Sequence, residues 1–281
     1  MGQNSIRCNL SKEDIIAEIR MTLAADFEHK KGIVIVEGKD DLLFLKGKLN
    51  RNVDVQESFS GKHGVEEIVD HFSDDRVIGI CDIDYDSRSP SVQMFYYDYS
   101  CLEMMLISND TVFSSFSHVY YQGLKEPKEL RLQVLSDLEW LSLYRKLSAE
   151  QSWGVRFKGI SITKAFNKST QKIEIEGLQR QLDEINAPRL QSHRQLEMVS
   201  EAHRGEYTIE QYYLITQGHD FLYLFQAICE TVKGSKGKSP DVDELFHALV
   251  CSYHYEIFLE SRLYQSLLEY QSTYDISILP S

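Results

Sequence analysis

The strongest structural signal in this chain comes from two stretches, Ile33-Val34-Ile35-Val36-Glu37-Gly38-Lys39-Asp40-Asp41 and Val77-Ile78-Gly79-Ile80-Cys81-Asp82-Ile83-Asp84. Each begins with a short apolar run rich in β-branched residues and ends in carboxylates. Such runs are typical of strands that are buried on both faces of a parallel sheet. Because open α/β sheets bind ligands at the carboxyl ends of their strands, we expect these acids to lie at a binding edge.

The spacing of Asp82 and Asp84 predicts a divalent-metal site. Side chains two residues apart on a strand point the same way. Two carboxylates held together repel each other unless a cation lies between them. Glu37, at the end of the other strand, is predicted to be a third ligand or the general base that takes a proton from water.

The composition is that of an ordinary globular protein. The chain has 281 residues, enough for one large domain or two modest ones, and 42% of them are hydrophobic. No apolar run approaches the roughly 20 residues that span a bilayer, and the N-terminus lacks the apolar segment of a secretory signal. The five cysteines are scattered, without a CxxC pair, which favours reduced thiols in the cytoplasm over disulfides or a zinc cluster.

Strands and helices are predicted to alternate in the first part of the chain. This alternation is typical of an α/β fold with a parallel sheet flanked by helices. From Pro127 on the pattern is mainly helical, which predicts domains at residues 1–125 and 126–281. The elements predicted in the first part are a helix opened by Ser11, strands at 33–36, 53–59, 77–81 and 93–97, a turn at 61–64, and helices at 40–49, 65–72 and 100–108. The later helices are predicted at 128–147, 175–185, 196–201, 221–231, 242–250 and 253–270.

Charge is unevenly spread along the chain. The net charge of −13 argues against a nucleic-acid binder. Between residues 156 and 172, however, there is no acid, and a second basic run covers Lys233–Lys238. Local basic patches can hold a phosphate backbone on an acidic protein, although a solvated surface remains the alternative. The basic residues of the first run are Arg156, Lys158, Lys164, Lys168 and Lys172.

The two opening stretches resemble the motifs of Toprim domains, in which a Glu follows the first strand and a DxD follows a later one. Asp98-Tyr-Ser-Cys-Leu-Glu103-Met-Met-Leu-Ile resembles the element that follows DxD in small standalone Toprim proteins. Gly218-His219-Asp220, which opens an apolar helix, also recurs in that group. The chain is therefore similar to Toprim nucleases of the OLD type, and most to the small effector subunit of PARIS anti-phage systems. The likeness covers roughly residues 30–110 well.

That resemblance implies a Toprim-like catalytic core and a metal-dependent endonuclease, with Mg²⁺ as the ion and Mn²⁺ as an alternative. It also implies a toxic effector that an ABC-type ATPase partner holds inactive. On this view a phage protein triggers release of the effector as a homodimer, which then cleaves host tRNA. The half from residue 126 on would serve dimerisation, the partner or the substrate.

Phosphodiester cleavage gives each candidate residue a role. It needs an activated water and neutralised phosphate charge, which Mg²⁺ held by carboxylates supplies. Asp82 and Asp84 are the principal predicted ligands, and Glu103 would complete a second metal position. Lys164 is the candidate for a cation that stabilises the transition state. Further candidates are Asp41, or its neighbour Asp40, for metal, and Arg156, Lys158, Lys168, Lys172 and His219 for substrate.

Structural alternatives stay open for several of these residues. Asp40 or Asp41 could cap a helix, and Glu103 could be a plain surface acid. Asp220 could serve only the N-terminal dipole of its helix, and His219 could be an ordinary core or surface residue.

Two other functions also stay open: a Toprim DNA nuclease or nickase, and a non-catalytic module that binds metal for stability or assembly. The apolar residues of the C-terminal helices leave room for a dimer face, if exposed. They are Phe246, Leu249, Tyr253, Ile257 and Leu263.

Overall fold

The computed structural model describes residues 11–85, 91–186, 193–203, 207–232 and 240–280. Two compact units separate by their internal contacts. The sheet unit comprises the described residues up to 83, 91–98 and 254–280, and the helical unit comprises 84–85 and the described residues from 99 to 253. The basic run predicted at 233–238 lies outside the described residues.

The sheet unit contains a four-stranded parallel sheet in the order β2-β1-β3-β4, which confirms the predicted α/β class. Every residue of β1 and β3 is buried, as their apolar runs predict. The strands are β1 (Gly32–Val36), β2 (Val53–Glu57), β3 (Val77–Cys81) and β4 (Met94–Tyr96). The helices of this unit are α1 (Lys12–Ala25), α2 (Lys39–Leu45), α3 (Gly61–Val69), α13 (Tyr255–Phe258) and α14 (Arg262–Tyr274).

One core forms where α1 and α3 pack on a face of the sheet. Ile33 and Ile35 of β1 point to this face, because alternate residues of a strand share a side. Gly79 of β3 has no side chain here, and a Cβ would lie 2.7 Å from Val65 Cγ1. Glycine therefore lets α3 approach the sheet closely. The buried members of this core are Ile15, Ile19, Ile33, Ile35, Val65, Ile68, Val69, Val77, Cys81 and Met94.

The C-terminal segment belongs to the sheet unit. The ring of Phe95 in β4 contacts that of Tyr270 in α14, at 5.2 Å between centroids. Phe44 of α2 contacts Phe258, and both pairs of rings are arranged edge to face. The division observed therefore differs from a boundary after residue 125, because 254–280 returns to the sheet and 99–125 belongs to the helical unit.

The helical unit is built from helices and one two-stranded antiparallel hairpin. Its longest element is α6, which has 24 residues and Pro127 at its start. Within the described residues, no helix of the chain is both long and apolar enough to cross a membrane. The elements of this unit are α4 (Leu102–Ser108), α5 (Asp110–Tyr120), α6 (Pro127–Glu150), α7 (Ile162–Ala165), β5 (Phe166–Asn167), β6 (Lys172–Ile173), α8 (Ile175–Asn186), α9 (His193–Ala202), α10 (Ile209–Ile215), α11 (Gly218–Val232) and α12 (Val242–Ser252).

Two local predictions are wrong. The stretch 61–64 is not a turn before a helix but the first turn of α3 itself, which Gly61 enters at a φ of +50°. The single helix predicted over 253–270 is broken into α13 and α14. Ser261 caps α14 by accepting a hydrogen bond from the Tyr264 amide. Asp98 adds a second cap, since its carboxylate accepts hydrogen bonds from the amides of Arg262 and Leu263.

The apolar stripe considered as a dimer face is largely covered within the chain. Phe246, Leu249, Tyr253 and Leu263 are buried, and Ile257 is partly exposed. These residues therefore do not form the exposed apolar stripe that would support a dimer face.

Candidate functional site

Glu37 and Asp82 meet at the carboxyl edge of the sheet. β1 and β3 are neighbours in parallel register, with Val36 opposite Ile80, and each acid follows its strand. Glu37 Oε1 accepts a hydrogen bond of 2.8 Å from the Asp82 amide. Both residues are partly exposed. The side chain of Glu37 is thus held against the backbone of Asp82 at one edge of the sheet.

Two buried groups beside this edge, the Cys81 thiol and the Tyr97 hydroxyl, have raised pKa values, chiefly because they are buried. Burial raises the pKa of the Cys81 thiol, and the charges of Glu37 and Asp82 raise it further, whereas Lys62 lowers it. Burial likewise raises the pKa of the Tyr97 hydroxyl, with added contributions from Asp41, Asp82 and Glu37. A negative potential stabilises a proton on a neighbouring acid and attracts cations. The acids of the edge thus add to the effect of burial on both groups.

Asp41 has a structural role in the first turn of α2. Its Oδ2 accepts a hydrogen bond of 3.0 Å from the Gly38 amide, which closes the turn between β1 and the helix. The residue is buried, whereas Asp40 is exposed. Capping, the alternative left open by the sequence, is thus observed for Asp41. Metal ligation by Asp41 stays a prediction.

Asp84 and Glu103 lie in the helical unit. Asp84 adopts a φ of +53°, a left-handed conformation that Asp tolerates better than most residues. Its amide donates to the Ser100 carbonyl, and its Oδ1 accepts a hydrogen bond of 3.1 Å from Gln217 Nε2. Glu103 lies in the first turn of α4 and is buried, so the surface-acid alternative is wrong.

The segment from Ile215 to Asp220 contacts Tyr85, Ser100 and Glu103, which belong to the same helical unit. The Tyr85 hydroxyl donates to the Ile215 carbonyl, and the Ser100 hydroxyl donates to the Thr216 carbonyl. Gly218 packs so closely on Glu103 that a Cβ would overlap its side chain.

His219 and Asp220, in the same segment, have different environments. His219 Nδ1 lies 3.6 Å from Glu103 Oε1, and its side chain is 67% exposed. Asp220 forms a largely buried ion pair with Arg145, with Nε 3.0 Å from Oδ2. Burial raises the pKa of Asp220, and Arg145 and His219 partly offset that rise. Asp220 therefore has the structural role of an ion-pair partner, whereas His219 remains accessible.

All five basic residues predicted between 156 and 172 are exposed and belong to the helical unit. Lys168 lies in the turn of the β5–β6 hairpin, and Lys172 begins β6. The Asn167 side chain accepts hydrogen bonds from the amides of Ser169 and Thr170, which orders that turn. Lys164 lies on α7, where its amide donates a hydrogen bond to the Ser161 hydroxyl and its side chain is exposed. Binding of substrate by the five residues stays a prediction.

Sequence reasoning missed two residues of these groups. Lys62 donates a hydrogen bond to the carbonyl of Ile83, between the two acids of Asp82-Ile83-Asp84. No sequence signal marks Lys62, because its partner is 21 positions away. Gln217, which orients Asp84, precedes Gly218-His219-Asp220, so that motif could have pointed to it.

The donor set of the sheet edge fits a hard divalent cation. Carboxylate oxygens are the ligands that Mg²⁺ prefers, and Mg²⁺ needs few of them because it keeps several waters. The bond from the Asp82 amide to Glu37 is compatible with ligation, since a carboxylate has lone pairs beyond the one it uses here. Such outer bonds orient metal ligands in known sites.

Comparison of the chain with protein-family models, with curated proteins and with solved structures finds no match.

Proposed function

We propose that this chain is a Toprim-type, metal-dependent endonuclease in which Glu37 and Asp82 hold Mg²⁺, with Mn²⁺ as an alternative. The observation that carries the proposal is the position of these two residues at the carboxyl edge of a parallel sheet, where the Asp82 amide donates a 2.8 Å hydrogen bond to the Glu37 carboxylate. Ligand sites of open α/β sheets lie at this edge.

The residues of the chain have distinct roles in this proposal. A bound Mg²⁺ would supply an activated water and neutralise charge on the scissile phosphate. Asp82 binds the ion, and Glu37 either shares in binding or accepts the proton of the attacking water. Asp84 and Glu103 are proposed as further ligands, and Asp41 as a weaker one. Lys164 is proposed to stabilise charge in the transition state.

The proposed substrate is nucleic acid, and the motif resemblance favours tRNA. Exposure of every basic residue in the 156–172 run supports a contact with phosphates, since a buried run could not make one. His219, exposed beside Glu103, is proposed to contact substrate as well.

The cellular role in the proposal rests on the motif resemblance. The chain would act in the cytoplasm as a toxic anti-phage effector, restrained by an ABC-type ATPase and active as a homodimer after release. The thiols of Cys81, Cys101, Cys229 and Cys251 are in the reduced form, which is compatible with a reducing compartment.

The test is to incubate the purified protein with total tRNA and with plasmid DNA, in Mg²⁺ or in EDTA. We expect tRNA cleavage that requires Mg²⁺ and is lost in Glu37→Ala and in Asp82→Ala. Asp70→Ala is the matched control. Asp70 is an exposed acid after the last residue of α3, whereas Glu37 lies near the first residue of that helix, so we expect this variant to cleave as the wild type does.

Other outcomes separate the alternatives. Cleavage of plasmid alone would retain the nuclease and replace tRNA by DNA as substrate. Metal binding without cleavage, by a protein that is also harmless when expressed in cells, would favour the non-catalytic module. Full cleavage by both Glu37→Ala and Asp82→Ala would refute the site.

A further inference from the structure

Lys62, a residue of the sheet unit, donates a hydrogen bond from its ammonium group to the backbone just after β3. It lies in the first turn of α3, and its Nζ donates a hydrogen bond of 2.9 Å to the carbonyl of Ile83. The same Nζ lies 5.8 Å from the centre of the Tyr96 ring in β4. The side chain thus reaches from α3 to the residue between the two acids of the DxD motif.

The backbone that carries Lys62 is itself fixed. Gly61 begins the helix in a left-handed conformation, and its carbonyl accepts a 2.7 Å hydrogen bond from the Ser58 hydroxyl. The Ser58 amide in turn donates to the carbonyl of Val36, the last residue of β1. A Cβ on Gly61 would lie 3.6 Å from Glu37 Oε2, so the start of α3 is next to the first acid. Lys62 therefore projects from a point anchored to the end of β1.

We infer that Lys62 is a positioning residue of the proposed metal site, which holds the Ile83 carbonyl and thereby the backbone on which Asp82 is carried. This inference rests on the proposed function and adds to it a residue outside the acidic motifs. A charged donor to a backbone carbonyl forms one of the stronger hydrogen bonds in proteins. Two bonds then restrain Asp82-Ile83, one from the Asp82 amide to Glu37 and one from Lys62 to Ile83.

Removal of Lys62 should change the metal affinity in opposite directions, depending on whether Lys62 positions the ligands or acts only through its charge. Lys62 is positive and acts electrostatically on the same thiol as Glu37 and Asp82. If its charge were all that mattered, its removal would tighten the binding of a cation by relieving repulsion. If it positions the ligands, its removal weakens binding, as loss of outer bonds does in other metal sites.

The experiment compares wild type, Lys62→Met and Lys62→Arg with two readouts. The first is hydrogen exchange, without metal, of peptides that cover residues 77–85. We expect exchange at Asp82 and Ile83 to be about tenfold faster in Lys62→Met, in line with the loss of one charged hydrogen bond. The second is Mn²⁺ affinity by calorimetry, which we expect to fall about tenfold in Lys62→Met and to recover in Lys62→Arg. Lys46→Met, at an exposed lysine after α2, should match the wild type in both.

Each other result overturns a defined part of the inference. Unchanged exchange in Lys62→Met would refute the positioning role. Faster exchange with unchanged or tighter Mn²⁺ binding would refute its link to the metal. If the wild type binds no Mn²⁺ while exchange still responds to Lys62→Met, the metal-dependent function fails and the positioning of the backbone stands.

Discussion

Oε1 of Glu37 accepts a hydrogen bond of 2.8 Å from the backbone amide of Asp82. The two residues are 45 positions apart in the chain and each follows a central strand of the sheet. The bond joins the ends of β1 and β3 without using the Asp82 carboxylate. Glu37 therefore has two properties that a substitution can separate: its side-chain oxygen accepts this hydrogen bond, and its carboxylate carries a charge.

Glu37→Gln tests that separation. Glutamine keeps an oxygen that can accept the Asp82 amide but carries no charge, so we expect metal-free stability close to that of the wild type. The wild type should gain about 2.7 kcal/mol when Mn²⁺ is present at about 100 times its dissociation constant, because only the folded state binds it. Glu37→Gln should lose most of that gain, as measured by thermal unfolding with and without Mn²⁺. An undiminished gain would show that Glu37 does not bind the ion.

Gly218→Ala should distort the surroundings of Glu103. A Cβ at position 218 would overlap the side chain of Glu103, which is buried and cannot move away freely. Overpacking of this kind costs about 1–3 kcal/mol, which urea denaturation would detect. Gly38→Ala is the control, because a Cβ there meets no atom within 4 Å and the φ of −163° is open to any residue. Equal losses in the two variants would contradict the close contact.

Asp74 should contribute stability that acid removes. Hydrogen bonds from Arg76 hold the pKa of Asp74 below its ordinary value of 3.8. A carboxyl with a lowered folded pKa stabilises the fold above its unfolded pKa and loses that contribution as pH falls through the folded pKa. Asp74→Asn should therefore be less stable than the wild type at pH 5–7, by a difference that shrinks below about pH 4. Urea denaturation across this range measures it, and a constant difference would exclude the ion pair as its cause.

Arg145→Met should lower the free energy of unfolding mainly at neutral pH. Burial raises the pKa of Asp220, and Arg145 is the main group that offsets the rise. Without Arg145 the folded pKa rises further, so the variant is penalised as pH increases through the range where unfolded Asp220 ionises. We expect a loss of about 3 kcal/mol at pH 7, as for other broken buried pairs, and a smaller loss at pH 4.

Arg145→Met combined with Asp220→Asn provides the control for that prediction. Asparagine cannot ionise, so the pH-dependent part of the loss should disappear in the double variant. The loss of packing between Arg145 and the Phe157 ring, 4.9 Å away, should remain in both variants at every pH. A loss in Arg145→Met that is equal at pH 4 and pH 7 would contradict the proposed role of the ion pair.

The strands of the sheet and the acids at its edge could be predicted from local sequence patterns. Buried runs at 33–36 and 77–81 predict parallel strands because a strand covered on both faces has only apolar residues, and this pattern is local. Glu37 and Asp82 follow those strands in sequence, so their placement at one edge could also be predicted. The bounds of α3 could not, since whether Gly61-Lys62 starts a helix depends on the contacts that fix Ser58 and Gly61.

The groups that support the acids, in contrast, are brought to them by the tertiary fold. The bonds of Lys62 to Ile83 and of Gln217 to Asp84 join residues 21 and 133 positions apart, which no local periodicity encodes. The break between α13 and α14 has the same origin, because Asp98 caps α14 from 164 positions away. Apolar spacing specifies which face of an element is buried, but the partner that covers it or caps its end is chosen by the packing of the whole unit.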